Sequence, residues 1–342
     1  MKFKKTIAII IVAILTLTCF VACGKKETEE EVGTTVPVEE GTTAEEVPET
    51  VNVAVLKGPT GMQTAYLMHI VNSGEYEGSN AYSFDVETAA DVVNSMLLSG
   101  EVDIAAIPSN AAATLYKKTE GKVKIIATNT LNVLTLMSSD SSVTSFEDLE
   151  GRTITASGEG TSAQYVLEAI LGENGLVDGE NITIQYTAEH AESVTLAKSG
   201  DTDIVVLPEP FATQLLLADA SFDYAIDFNS EISRLGLNIV MGVYAVRTDF
   251  LEKYPSAVDE FLEDMLASHT FLTSAGDTAA EYVEEADIMT FAVAVKAIPN
   301  IYFRFTTGQE AADLCDGMFE MLYERNPQSV GGEIPSDDIY YK

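Results

Sequence analysis

Ser99-Gly100-Glu101-Val102-Asp103-Ile104-Ala105-Ala106-Ile107-Pro108 returns one hundred residues later as Ser199-Gly200-Asp201-Thr202-Asp203-Ile204-Val205-Val206-Leu207-Pro208. The match holds in register through Ala112 against Ala212 and Leu115 against Leu215. Each copy reads as a helix end marked by Gly, a short buried strand, and a Pro that opens the next helix. Two copies of one α/β unit predict two similar lobes. Two lobes that face each other enclose a cleft.

Reading outward, the first copy starts with a strand over Val51–Leu56 and breaks at Lys57-Gly58-Pro59-Thr60-Gly61. A helix from Met62 to Val71, a strand over Tyr82–Val86 and a helix over Ala89–Leu98 lead to the repeated strand. Strands over Val123–Ala127 and Val133–Met137 follow. The second copy begins at Thr153–Ala156, breaks at Ser157-Gly158-Glu159-Gly160-Thr161-Ser162, and alternates helix and strand through Phe211. Alternation at these lengths calls for mostly parallel sheets with right-handed crossovers. A long apolar strand over Asn238–Val246 carries the chain back, and helices over Ser256–Thr270, Ala279–Val295 and Glu310–Arg325 complete it. The expected fold class is therefore α/β and two-lobed, each lobe a mostly parallel sheet flanked by helices. Residues 51–138 and 245–342 form lobe 1, and 139–244 form lobe 2.

Lys2, Lys4 and Lys5 precede an apolar run from Thr6 to Ala22 that ends in Val21-Ala22-Cys23-Gly24. A basic start, an apolar core and small residues before the Cys describe an export signal. The run is also long enough for an uncleaved anchor. Its end is similar to a bacterial lipoprotein signal, with Phe20 where Leu is usual, which implies a signal peptide over 1–22 and lipid on Cys23. Either reading puts the rest of the chain outside the cytoplasm, anchored to the cell membrane. Residues 23–50 are acidic, lack aromatic side chains, and cannot bury enough apolar surface to offset chain entropy, so they read as a disordered linker.

The 342-residue chain carries a formal charge of −35, and loss of the three signal lysines takes it to −38. That balance excludes nucleic acid and anionic membrane surfaces as partners, since both require clustered Lys and Arg. Of three cysteines only Cys315 lies in the folded part, on a helical stretch, and it reads as a small core residue.

Ligands of open α/β sheets sit at loops beyond the carboxyl ends of strands. The repeat pairs four such loops: Lys57 to Met62 with Ser157 to Ser162, and Ser109-Asn110 with Glu209-Pro210. Gly61, Gly158 and Gly160 let backbone approach a small molecule. Thr60, Thr161 and Ser162 place hydroxyls beside free N–H groups. Helix capping explains Ser, Thr and Asn at such positions without any ligand. Glu209 suits an amine or a ring N–H, Lys57 suits an acid, and Tyr66, Tyr165 and Phe211 are candidates for stacking on a flat molecule.

At Leu207-Pro208-Glu209-Pro210-Phe211-Ala212, together with the Ser157–Ser162 loop, the chain resembles the solute-binding lipoproteins of ABC importers of the nitrate, sulfonate, taurine and thiamine-precursor group. That resemblance spans roughly Val51 to Tyr323 and implies the type II periplasmic-binding fold. It implies capture of a small-molecule solute between lobes that close on a two-strand hinge, then delivery to a permease with its ATPase. The implied ligand shell is Lys57, Thr60, Gly61, Met62, Ser109, Asn110, Ser157, Gly158, Gly160, Thr161, Ser162 and Glu209, with crossovers near Ser138 to Val143 and Gly236 to Val246. No Trp is present, so a Trp-lined pocket is excluded.

Two other functions compete. The pyrimidine-precursor synthases that share this fold need a catalytic His and a Cys-rich iron motif, and His69, His190 and His269 have no cysteine cluster near them. Nucleophile-elbow, zinc-protease and phosphate-loop motifs are also absent, so no enzyme, cofactor or metal is expected. A sensory or surface lipoprotein with the same fold is the other alternative.

Overall fold

The computed structural model describes residues 47–342. The signal, Cys23 and most of the linker lie outside the described residues. Eleven strands are described: β1 (Val51–Leu56), β2 (Tyr82–Glu87), β3 (Ile104–Pro108), β4 (Val123–Asn132), β5 (Leu134–Ser138), β6 (Thr153–Ser157), β7 (Thr183–Thr187), β8 (Ile204–Pro208), β9 (Asp223–Ile226), β10 (Gly242–Arg247) and β11 (Tyr302–Phe303). They form a six-stranded sheet in the order β11-β4-β10-β3-β1-β2 and a five-stranded sheet in the order β7-β6-β8-β5-β9. The α/β, two-lobed expectation holds.

The duplication extends to individual hydrogen bonds. Gly100 and Gly200 end their helices at φ 81° and 79°, a left-handed conformation that costs Gly least. Each is followed by a return bond, Glu101 N to Met96 O and Asp201 N to Leu196 O, both 3.0 Å. The repeated Asp then takes an Arg in each lobe. Arg247 lies 3.5 Å from Asp103 Oδ1, and an Arg152 nitrogen lies 2.9 Å from Asp203 Oδ2.

Strand periodicity sorts the core into layers. Along β3, Ile104 and Ala106 face the helix Pro255–Ser274 with Phe261 and Met265, while Ala105 and Ile107 face the opposite layer with Val93 and Leu97. Both faces of these strands are covered, which is why they read as unbroken apolar runs. Each fully buried Ile or Leu contributes about 1.5–3 kcal/mol. Cys315 is buried in the same core, as its helical context predicts, and burial pushes its thiol up.

Each sheet is completed by an antiparallel strand that arrives from the other side of the chain. β5 pairs with β8 in the second sheet, Leu134 against Pro208, and β10 pairs with β3 in the first, Gly242 against Pro108. The lobe boundaries therefore shift from those expected. Only Val133 separates β4 from β5, too few residues for a hairpin, so the strand continues into the other sheet instead of folding back. The first crossover lies at Asn132–Leu134, not at Ser138 to Val143, and the second runs through 236–241, ahead of β10 in the first sheet.

Two expected helices are broken. Met62–Val71 is split into Pro59–Met62 and Ala65–Ser73. Ala279–Val295 is split into Asp277–Glu285 and Phe291–Ala297, because Asp287 adopts φ 54° and Thr290 is extended.

Gly61 packs flat on β1: a Cβ there would lie 2.2 Å from Leu56 O. Backbone cannot yield as a flexible side chain does. Gly61→Ala is expected to cost at least about 1–3 kcal/mol of stability, read by urea denaturation.

Candidate functional site

The strand registers aim both sheets at one place. The carboxyl end of β3 pairs through Pro108 with Gly242, which pairs with Thr130 near the end of β4. The carboxyl end of β8 pairs through Pro208 with Leu134. The carboxyl ends of β3 and β8 thus meet at the Asn132–Leu134 crossover, where the four paired loops were expected to face a cleft.

The loops do not all present what their residue types suggest. Lys57 Nζ lies 2.7 Å from Asp287 Oδ2, so its charge is already paired. The Thr60 carbonyl accepts from Asn129 Nδ2 at 2.9 Å. Met62 is fully buried in the core with Leu272, Ala280 and Val283. Gly61 serves close packing on β1.

Ser109 is buried and tied to the second crossover. Its hydroxyl donates to Val240 O, and its N–H donates to Met241 O at 3.1 Å. Asn110, next to it, is half-buried.

In the second lobe Thr161 behaves as a cap. Its Oγ1 donates to Gly158 O at 2.6 Å and accepts from Ala163 N at 3.3 Å at the start of the helix Ser162–Glu173. Gly158 and Gly160 take φ 86° and 76° in that turn, and Gly160 N donates to Gln164 Oε1 at 2.6 Å. The Ser162 hydroxyl is buried and has no partner.

Ser157 has found a partner that sequence reading passed over. Its hydroxyl shares a hydrogen bond with His190 Nδ1, and the His190 ring lies 5.0 Å from that of Phe211. Ser157 ends β6, His190 opens the helix after β7, and Phe211 opens the helix after β8. The three form a row along the carboxyl edge of the second sheet. Burial lowers the His190 pKa, with Glu189 opposing, so the ring is neutral near pH 7.

Glu209 is buried at 3% exposure. Its Oε1 accepts from Tyr224 OH at 2.7 Å and its Oε2 from Thr213 N at 3.2 Å, and the Glu209–Pro210 peptide is cis. Burial raises its carboxyl pKa, against the hydrogen bonds from Tyr224 and Thr213. Its own N–H donates to Val133 O at 2.9 Å, the counterpart of the Ser109–Met241 bond.

A cavity of about 390 Å³ lies between the lobes; Tyr224, which bonds Glu209, is in its wall, and Glu209 itself is not. Leu134, Thr135, Tyr224 and Asp227 line it from the second lobe, Pro299 and Asn300 from the first. Asn229, also in its wall, bridges the lobes: it accepts from Asn132 Nδ2 at 2.8 Å and donates to Asn300 O at 2.9 Å. Asn132 also braces the crossover, donating to Leu134 O at 2.9 Å and accepting from Leu134 N at 3.0 Å. A larger groove of about 1030 Å³, with Gly100, Lys122 and Arg247, sits at the opposite, amino ends of the first sheet's parallel strands. Ligands of such sheets bind at carboxyl ends, so the interlobe cavity is the candidate site. Among the described residues no group of His, Cys, Asp and Glu is arranged to hold a metal.

The architecture is that of the two-lobed periplasmic binding proteins, and the resemblance to substrate-binding proteins of ABC transporters read from sequence holds. A family model described as the periplasmic substrate-binding protein of phosphonate ABC transporters matches residues 77–230. No curated protein sequence matches. An ABC transporter structure from Parabacteroides distasonis superposes with a TM-score of 0.72 at 22% identity, covering 86% of this chain and 99% of that one. The aliphatic sulphonate binding protein SsuA of Escherichia coli gives 0.67 at 16% identity, covering 86% and 92%. The nitrate-binding protein NrtA of Synechocystis gives 0.55 at 14%, covering 86% and 85%. At these identities the structural likeness carries the fold.

A half-buried neutral His implies a pH dependence. Its folded pKa is depressed, so its contribution to stability is present above 6.5 and is lost as the pH falls through the lower folded value. The wild type is expected to lose thermal stability relative to His190→Gln as the pH falls from about 7 to about 5, in paired melts across that window.

Proposed function

We propose that this chain is the extracytoplasmic solute-binding component of an ABC importer, and that it captures a small molecule between its lobes and hands it to a permease and ATPase. The observation that carries the reading is the convergence of two duplicated carboxyl edges on one doubly crossed hinge, with a cavity beside that hinge. A solute that touches both edges binds the closed arrangement better and shifts the population toward it by that difference. No step in this function breaks a covalent bond, so the chain acts as a carrier and not as an enzyme.

The lipidated Cys23 and the acidic linker fit the same role by holding the binding lobes at the membrane surface beside a permease. Among the described residues no helix is long and apolar enough to cross a membrane. Within the candidate shell, Asn110, Ser157 and Glu209 are favoured as ligand contacts. Thr161 and Ser109 serve the fold first.

Thermal-shift screening of the chain against small solutes tests the proposal. At a solute concentration about 100 times Kd, binding stabilises by about 2.7 kcal/mol, a shift of several degrees. Turnover of a bound solute would favour the enzyme alternative. Binding without uptake in cells carrying the cognate permease would favour a sensory lipoprotein.

A further inference from the structure

The second crossover is held at both ends and rests on a helix between them. On the second-lobe side, Gly236 N donates to Ser233 O at 3.3 Å and Leu237 N to Ile232 O at 3.1 Å, which ties it to the helix Phe228–Leu235. On the first-lobe side, Met241 N donates to Thr130 O at 2.8 Å and Ser109 N to Met241 O at 3.1 Å. Asn238 stands at the joint between these anchors. Its side chain lies on the helix Gly308–Arg325 of the first lobe, with Nδ2 3.5 Å from Asp313 O. One turn further along that helix the crossover meets bare backbone. A Cβ at Gly317 would lie 2.5 Å from Asn238 Cβ and 2.8 Å from its Nδ2.

Gly is the poorest helix former after Pro, yet Gly317 sits in the middle of an 18-residue helix. The close approach of Asn238 accounts for it. The helix cannot retreat, because Ala312, Cys315, Met318, Phe319 and Leu322 are fully buried on its core face. Asn238 Cβ moves only with the crossover backbone. A cavity of about 210 Å³ opens beside the contact, walled by Glu168 and Gly172 of the second lobe, Leu237 and Ile239 of the crossover, and Gly317 and Arg325 of the first lobe. The crossover is therefore the part with room to shift, and the second lobe shifts with it. We infer that Gly317 is a positioning residue of the hinge: its missing side chain seats the second crossover on the first lobe and sets how far apart the lobes stand before a solute arrives. Gly317 is not in the wall of the candidate site, so it acts on a solute through lobe position alone. That consequence for binding rests on the solute-binding reading.

Spin-label distances between Val92 and Val177 in the solute-free full chain test the assignment. Gly317→Ala is expected to move the mean distance by about 2 Å or more. Combined with Asn238→Gly, which removes the atoms it meets, it is expected to give the distance of Asn238→Gly alone. A distance that Gly317→Ala leaves unchanged, or a shift that Asn238→Gly does not cancel, would overturn the assignment. Should Gly317→Ala fail to fold, Asn238→Ile crowds the same contact from the crossover side with the helix intact. A shift of similar size is expected of it, and no shift there would equally overturn the assignment. These distances need no solute, so their outcome is separate from that of the thermal-shift screen, which tests the solute-binding reading. For a solute found in that screen, Gly317→Ala is expected to change Kd at least about threefold, because the population of the competent arrangement changes. An unchanged Kd beside a shifted distance would overturn the role of Gly317 in binding.

Discussion

Two backbone hydrogen bonds fasten the hinge to the duplicated loops: Ser109 N to Met241 O at 3.1 Å and Glu209 N to Val133 O at 2.9 Å. Each is the first N–H after a repeated strand, a group that would otherwise stand unpaired at the start of a helix. Each acceptor lies on a segment that crosses between the sheets. The loops at the carboxyl ends and the crossovers are thus one hydrogen-bonded body in each lobe. Relative movement of the lobes is left to the few residues between those anchors, the usual size of a hinge.

The contacts across the lobes suit an interface that opens. Asn229 joins Asn132 and Asn300, Asn326 donates to Tyr165 OH at 3.2 Å, and Arg325 stands 3.9 Å from Glu168. Partly exposed polar pairs of this kind are worth about 0–1 kcal/mol each. The sheets are buried on both faces by Ile, Val, Leu and Phe, and one apolar cluster runs from Val166 and Ile170 in the second lobe to Met318 and Phe319 in the first. A solute that touches both lobes shifts their position by its differential affinity for the closed arrangement.

Much of this was legible in the sequence because the repeat carries its own punctuation. Gly100 and Gly200, Asp103 and Asp203, and Pro108 and Pro208 take matching positions in the two lobes. The first crossover was hidden because β4 ends at Asn132 and β5 starts at Leu134 with no Gly or Pro between them, and periodicity does not say which sheet a strand joins. The surroundings of Met62 and Lys57 were hidden for a related reason: their neighbours Leu272 and Asp287 are more than two hundred residues away. His190 and Asn229 open or flank helices, where His and Asn look like ordinary end residues until their neighbours are placed. Thr161 shows the converse, a hydroxyl that looked available and is spent on a cap.

A clamp of this kind requires that a bound solute draw the lobes together. Spin labels at Val92 and Val177, exposed positions on the first and second lobes, report that separation directly. With a probe that binds, the distance distribution should narrow and move to shorter values relative to the free chain. An unchanged distribution at saturation would mean that the solute does not bridge the lobes, and the clamp proposed here would be wrong.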